Sequence, residues 1–238
     1  MTTNEFAHHK RGHGAGVSHC KDDSLDEREF ELLVEGAKAM DGYRRVEAEF
    51  IIHVAGRLGL RRGEITHLRS DWIDPREKLV EIPGHQPCTK GKDGGMCGHC
   101  RQLIGQCSNV NDIPEEELAD NWWRPKTESA VRGVPYDWSP RTELTVERFI
   151  NEFDRFERSS TAVSRRVKTA AENAPELEPD DVYPHALRAT AATYQVSRGL
   201  GVHALTSFMG WSNIATSEVY ISNSSENTRR AVRAAHNQ

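Results

Sequence analysis

Apolar residues recur at three- and four-residue steps through most of this 238-residue chain, and that period commits it to a largely helical architecture. Phe30, Leu32, Leu33 and Ala37 form one stripe, and Phe50, Ile51, Val54 and Leu58 form the next. Ser24 and the acidic residues after it read as the capped start of the first helix. RRGEITHLR (61–69) reads as a short third helix, with Ile65 and Leu68 facing inward. The period returns in LTVERFINEFDRF (144–156), in TAVSRRVKTAAENA (161–174), and in HALRATAATYQVSRGL (185–200), which Pro184 opens and Gly199 and Gly201 end. Shorter helices are expected over VHALTSFMG, NIATSEVYI and SENTRRAVRAAH.

One region breaks the pattern. KLVEIPG (78–84) alternates like a strand, and RPKTESAVRGVPY (124–136) reads as a hairpin turning near Glu128–Ala130. The expected fold is therefore mainly α with a small antiparallel sheet, an α+β arrangement. Residues 1–24 lack any period and read as a mobile tail, although His8, His9, His13, His19 and Cys20 are metal-capable types. A single domain over 25–238 is expected, with a Cys-rich insert at about 84–123.

Composition narrows the setting. No apolar run approaches the ~20 residues that span a bilayer, and the N-terminal stretch lacks the apolar core of a signal peptide. Five cysteines, an odd number, favour a reducing compartment, and a cytoplasmic protein is expected. The net charge of −5 is unlike the basic balance of many nucleic-acid binders, so a DNA reading must rest on local charge. Residues 182–238 supply it, with five arginines against two glutamates. A cationic face on an acidic whole also fits a salt-accumulating archaeal host.

Four segments carry chemistry: GLRRGE (59–64), PKTESAVRGVP (125–135), HALR (185–188) and MGWSNIATSEVYI (209–221). Their residue types suit phosphodiester cleavage by a protein nucleophile. Arginines grip non-bridging phosphate oxygens in bidentate fashion and stabilise transition-state charge. A lysine donates a proton to a departing sugar oxygen, and a histidine accepts one from the nucleophile. A tyrosine forms the covalent intermediate once cations or a base offset its ordinary pKa near 10.

In order, spacing and flanking residues, these blocks resemble the catalytic domain of the tyrosine recombinases, the phage integrase family. GLRRGEITHLRSDWID resembles the helix bearing the first catalytic arginine, which implies that role for Arg61, with Glu64 as a supporting acid. PKT resembles the catalytic-lysine turn and implies Lys126, although Lys90 and Lys92 lie in the same region. HALRATAAT resembles the His-x-x-Arg helix and implies His185 and Arg188, with Ala189 where a histidine often follows. MGWSNIATSEVYI resembles the closing motif and implies Trp211 and, nine residues on, the nucleophile Tyr220.

The resemblance implies a site-specific recombinase that integrates or excises a mobile element, or resolves DNA multimers. Such an enzyme links Tyr220 to a DNA 3′-phosphate, needs no cofactor for catalysis, and acts on double-stranded DNA as a homotetramer on two sites. A non-cutting regulator derived from a recombinase is one alternative, and a type IB topoisomerase-like enzyme or telomere resolvase is another. The helix with Arg229, Arg230 and Arg233 resembles the segment that docks on a neighbouring protomer, and equally reads as a basic helix touching DNA. With Arg61 so early, no N-terminal clamp domain is expected, so either DNA affinity is low or an accessory DNA-binding protein completes the grip.

The insert departs from the family pattern. It holds Cys88, Cys97, Cys100 and Cys107 in a C-x8-C-x2-C-x6-C series, whose central C-x2-C is the usual chelating knuckle for structural zinc. His85 or His99 is a candidate replacement for one thiol.

Overall fold

The computed structural model describes residues 23–111, 123–125 and 127–221, with isolated positions 232, 233 and 236; the side chains of 107–111 are outside that description. The tail expected over 1–24 lies almost wholly outside the described residues, as do Lys126, Arg229 and Arg230. Among the described residues the helices are α1 (Glu27–Lys38), α2 (Gly42–Gly56), α3 (Arg62–His67), α4 (Gly98–Asn111), α5 (Pro140–Glu152), α6 (Ser160–Glu172), α7 (Pro184–Ser197), α8 (Val202–Met209) and α9 (Ile214–Ile221). The strands are β1 (Ile73–Asp74), β2 (Leu79–Ile82) and β3 (Arg132–Pro135). The mainly helical α+β fold read from the sequence is thus observed.

Helix α2 is the hub. Phe50, Ile51, Ile52, Val54 and Ala55 are fully buried because α1, α5, α6 and α7 pack around it. From Val46 onward this helix is buried on nearly every side, so the polar residues there need internal partners. Glu47 finds two: Arg158 Nε at 2.7 Å and Arg166 Nε at 2.8 Å, tying α2 to α6 and the loop before it. His53 Nδ1 lies 3.2 Å from Thr142 Oγ1 on α5. Arg57, just past the end of α2, lies between two rings, its Cζ 3.6 Å from the Phe30 centroid and 4.2 Å from that of Tyr194. These cation–π contacts recover part of the cost of burying a guanidinium.

The start of α1 differs from the expectation at Ser24. Asp26 is the N-cap, in a capping box with Glu29: the Glu29 N–H donates to Asp26 Oδ1 and the Asp26 N–H to Glu29 Oε2, both at 2.8 Å. Two orphan donors are satisfied reciprocally, an arrangement closed to Ser24 because it sits too far upstream.

The sheet has the order β1-β2-β3 and is antiparallel throughout. Val80 pairs with Val134, and both are fully buried, so register and burial agree. The expected hairpin over 124–136 is only half present. A 3-10 turn occupies Glu128–Ala130 where the turn was read, but the strand after it pairs with β2. Between β2 and β3 the insert leaves the sheet and returns at an isolated bridge, Gln86 with Trp123, closed by two 2.8 Å backbone hydrogen bonds.

Burial pushes the pKa of His53 down to about 3, assisted by Arg141, Arg57 and Lys38. The unfolded chain protonates this residue near pH 6.5, so between the two values the unfolded state holds the extra proton and stability falls as pH falls. From pH 7 to pH 5 this single group is expected to cost about 2 kcal/mol. Urea unfolding at the two pH values checks it: His53→Gln should flatten the pH dependence by that amount, and an unchanged slope contradicts the assignment.

Candidate active site

Arg61 is the N-cap of α3, in extended backbone, and Glu64 one turn later reaches back to it. The Glu64 carboxylate accepts from the Arg61 N–H at 2.8 Å and from Arg61 Nη1 at 2.9 Å. From the opposite side Arg132 on β3 donates through Nη1 and Nη2, each at 3.1 Å. Glu64 is 2% exposed. Burial alone raises a carboxyl pKa, but Arg132, then Arg188 and Arg61, hold this one down at about 2. One buried anion therefore fixes two cations, as bidentate Arg–carboxylate geometry allows.

The same arginines close the end of α8. Arg132 Nε donates to Phe208 O at 2.8 Å, Arg188 Nη2 to Met209 O, and Arg61 Nη2 to Gly210 O at 2.6 Å. Three successive carbonyls at a helix C-terminus, which have no partners within the helix, each accept from a different arginine. Gly210 makes the turn possible. Its φ of +60° is left-handed, and a Cβ there would stand 2.9 Å from Ala130 Cα and 3.0 Å from Arg132 Nη1. Trp211 follows directly.

Arg188 and His185 lie one turn apart on α7. Arg188 is 4% exposed, and its Nη1 donates to Gly59 O, so it joins the turn before α3 to the end of α8. Burial, then the nearby Arg61, push its pKa down to about 9. A guanidinium has more N–H donors than these two acceptors take up, so Arg188 keeps capacity for an anion. His185 is exposed at the start of the same helix.

Trp211 bridges Arg188 and Tyr220. The Arg188 Cζ is 5.8 Å from the indole centroid, and the Tyr220 ring stacks on the indole at 5.3 Å with 19° between planes. Helix α9 is set against α8 by a 2.7 Å contact between Thr206 Oγ1 and Ser217 Oγ, one turn before Tyr220. Tyr220 is itself 9% exposed. A cleft of about 1060 Å³ opens in front of this assembly, lined by Arg61, His185, Arg188 and Trp211 and, on the insert side, by His99 and Leu103. Tyr220 sits behind Trp211 and does not line the cleft.

The structure thus gathers Arg61, His185, Arg188, Trp211 and Tyr220, while Lys126 lies outside the described residues. The rival Lys90 is committed elsewhere: its ammonium donates to the carbonyls of Thr66, Phe156 and Arg158. Of the metal-binding candidates, Cys88, Cys97 and Cys100 come together, and the fourth donor beside them is His67. The Cys107 side chain lies outside the described residues, and neither His85 nor His99 belongs to the described cluster.

Sequence reasoning assigned no role to Arg132 or His67. Arg132 stands within PKTESAVRGVP, but only its pairing with Glu64 distinguishes it from any strand arginine. Breaking a buried ion pair by removing one partner typically costs about 3–5 kcal/mol. Arg132→Met is expected to lower unfolding free energy by about 3 kcal/mol; a urea midpoint matching that of the wild type contradicts the pairing.

The fold built around this site is that of tyrosine recombinase catalytic domains. A structure of the Tn1549 transposon integrase in complex with transposon right end DNA matches with a TM-score of 0.59 and 19% identity, covering 93% of this chain and 68% of that one. Another, in complex with a circular intermediate DNA, matches with a TM-score of 0.60 and 18% identity, over 89% of this chain and 65% of that one. XerA recombinase matches with a TM-score of 0.48 and 18% identity over 90% of this chain, which spans 63% of XerA. No curated protein matches the chain. Residues 144–227, which hold His185, Arg188, Trp211 and Tyr220, match the model of the phage integrase family. The matched residues contain the HALR and MGWSNIATSEVYI blocks, while the blocks at 59–64 and 125–135 lie outside them.

Proposed function

We propose that the chain is a site-specific DNA recombinase that cuts and rejoins double-stranded DNA through a 3′-phosphotyrosyl intermediate. The observation that supports this reading most is the gathering of Arg61, His185, Arg188 and Trp211 around one cleft, with Tyr220 stacked on Trp211. Arg61 and Arg188 grip the non-bridging oxygens of the scissile phosphate. Both are held rigid by the carbonyls and the carboxylate behind them, so they pay little reorganisation as charge develops. His185 takes the proton of the Tyr220 hydroxyl, and Lys126 delivers one to the departing 5′-oxygen. Trp211 donates its indole N–H to the phosphate and cannot itself accept a proton.

Tyr220 attacks phosphorus, the bond to the 5′-oxygen breaks, and a tyrosyl phosphodiester replaces the DNA one. Bond energy is conserved, and rejoining follows by the reverse attack of a 5′-hydroxyl, with no cofactor. Because Tyr220 sits behind Trp211, its ring must swing toward the cleft for that attack. Four copies on two DNA sites exchange strands in cytoplasmic DNA, in integration or excision of a mobile element or in multimer resolution, with an accessory DNA-binding protein strengthening the grip.

Detergent-resistant protein–DNA adducts recovered from expressing cells test this reading. The wild type should yield adducts with a common DNA sequence, and Tyr220→Phe should yield none while still binding DNA in a salt-sensitive manner. Arg188→Ala is expected to lower adduct formation by roughly 10²–10³-fold. Salt-sensitive binding with no adduct from the wild type would instead make the chain a non-cutting regulator, and adducts at random sequences would favour a topoisomerase.

A further inference from the structure

We infer that His67, Cys88, Cys97 and Cys100 form a structural zinc site that bolts the cysteine-rich insert onto α3, the helix capped by Arg61. The four donor atoms lie within 4.8 Å of one another. His67 Nε2 is 3.3 Å from Cys100 Sγ and 3.6 Å from Cys97 Sγ. A tetrahedral zinc ion with bonds of about 2.0–2.3 Å sits at the centre of such a group after only small side-chain shifts. Three sulfurs and one imidazole nitrogen are a donor set that selects zinc over harder cations.

The surroundings are those of a ligand shell. The other ring nitrogen of His67 lies 2.9 Å from Gly63 O, one turn back on α3, so Nδ1 carries the proton and Nε2 presents its lone pair to the sulfurs. That arrangement orients metal-bound histidines generally. The sulfurs also receive backbone donors, from Cys97 N–H to Cys88 Sγ and from Cys100 N–H to Cys97 Sγ, both at 3.4 Å. His67, Cys88 and Cys100 are buried, and Cys97 is partly so. No disulfide links the three thiols, and pairing any two of them would strand the third.

The insert needs such a clamp. Among the described residues of the insert, the buried apolar side chains are Cys88, Cys100, Ile104 and Trp123, too few for a core of their own. Lys90, between Cys88 and Cys97 in sequence, already pins the loop to the end of α3 through Thr66 O. His67 is the last residue of α3, so a metal there joins the helix that carries Glu64 to the first turn of α4. His67 and Cys100 also border the cleft, which makes the metal the anchor of its insert-side wall. This inference stands apart from the recombinase reading and does not depend on cleavage.

Elemental analysis of the full purified chain tests it. One zinc per chain is expected. Cys107→Ser should keep that stoichiometry with affinity within about twofold, whereas His67→Ala should weaken binding by more than roughly 100-fold, beyond the loss typical of an outer-shell partner, and His67→Cys should restore it. Should His67→Ala fail to fold, cobalt substitution of the wild type and of Cys107→Ser reads the same point: identical tetrahedral spectra with three-thiolate charge-transfer intensity are expected. A chain that takes up no zinc, or a Cys107→Ser protein that loses it, overturns the assignment.

Discussion

A single buried carboxylate organises this molecule. Glu64 has no solvent to stabilise its charge, so its ionisation depends on Arg61 and Arg132, and their placement depends on it in turn. Around that pair the chain brings together pieces far apart in sequence: α3, β3 and the end of α8. The arginines then use their remaining donors on Phe208, Met209 and Gly210 carbonyls, with Arg188 completing the row. Removing the carboxylate would leave cations facing one another across the floor of the cleft, with nothing between them to balance the repulsion.

The insert and the cleft share a second dependence. Among its described residues, the excursion between β2 and β3 is held by polar and sulfur contacts as well as by burial: Lys90 with three carbonyls, the Gln86–Trp123 bridge, and the Cys/His group. Trp123 packs on Trp72 and against His67, so the insert returns to the domain beside the helix its cysteines meet. These contacts help to hold the wall of the cleft contributed by α4.

Helical periodicity made most of the fold legible, because burial on one side of α1, α5 and α6 leaves its stripe in the sequence. The second helix was legible in the same way, through Phe50, Ile51 and Val54, although the structure buries its second half on nearly every side. The sheet was harder. Two four-residue strands and a two-residue one leave little alternation to read, and the stretch before Thr127 looked like a strand because nothing local reveals that β2 claims the partner strand. The site motifs were legible as blocks, since Arg61, His185, Arg188, Trp211 and Tyr220 each sit in a distinctive local string. Arg132 and His67 were not, because their roles are set by residues about 68 and 30 positions away. Capping at Asp26 rather than Ser24 was decided by reach to Glu29, a difference of two residues that propensity alone does not separate.

The most direct test of the account is the position of a phosphodiester in a structure of Tyr220→Phe bound to duplex DNA. The account predicts non-bridging oxygens within about 3 Å of Arg61 and Arg188 donors, with the Trp211 indole N–H beside them and the ring at position 220 turned from Trp211 toward phosphorus. A backbone phosphate held elsewhere, with both arginines still wholly engaged on Glu64 and the carbonyls of Gly59, Met209 and Gly210, would contradict it.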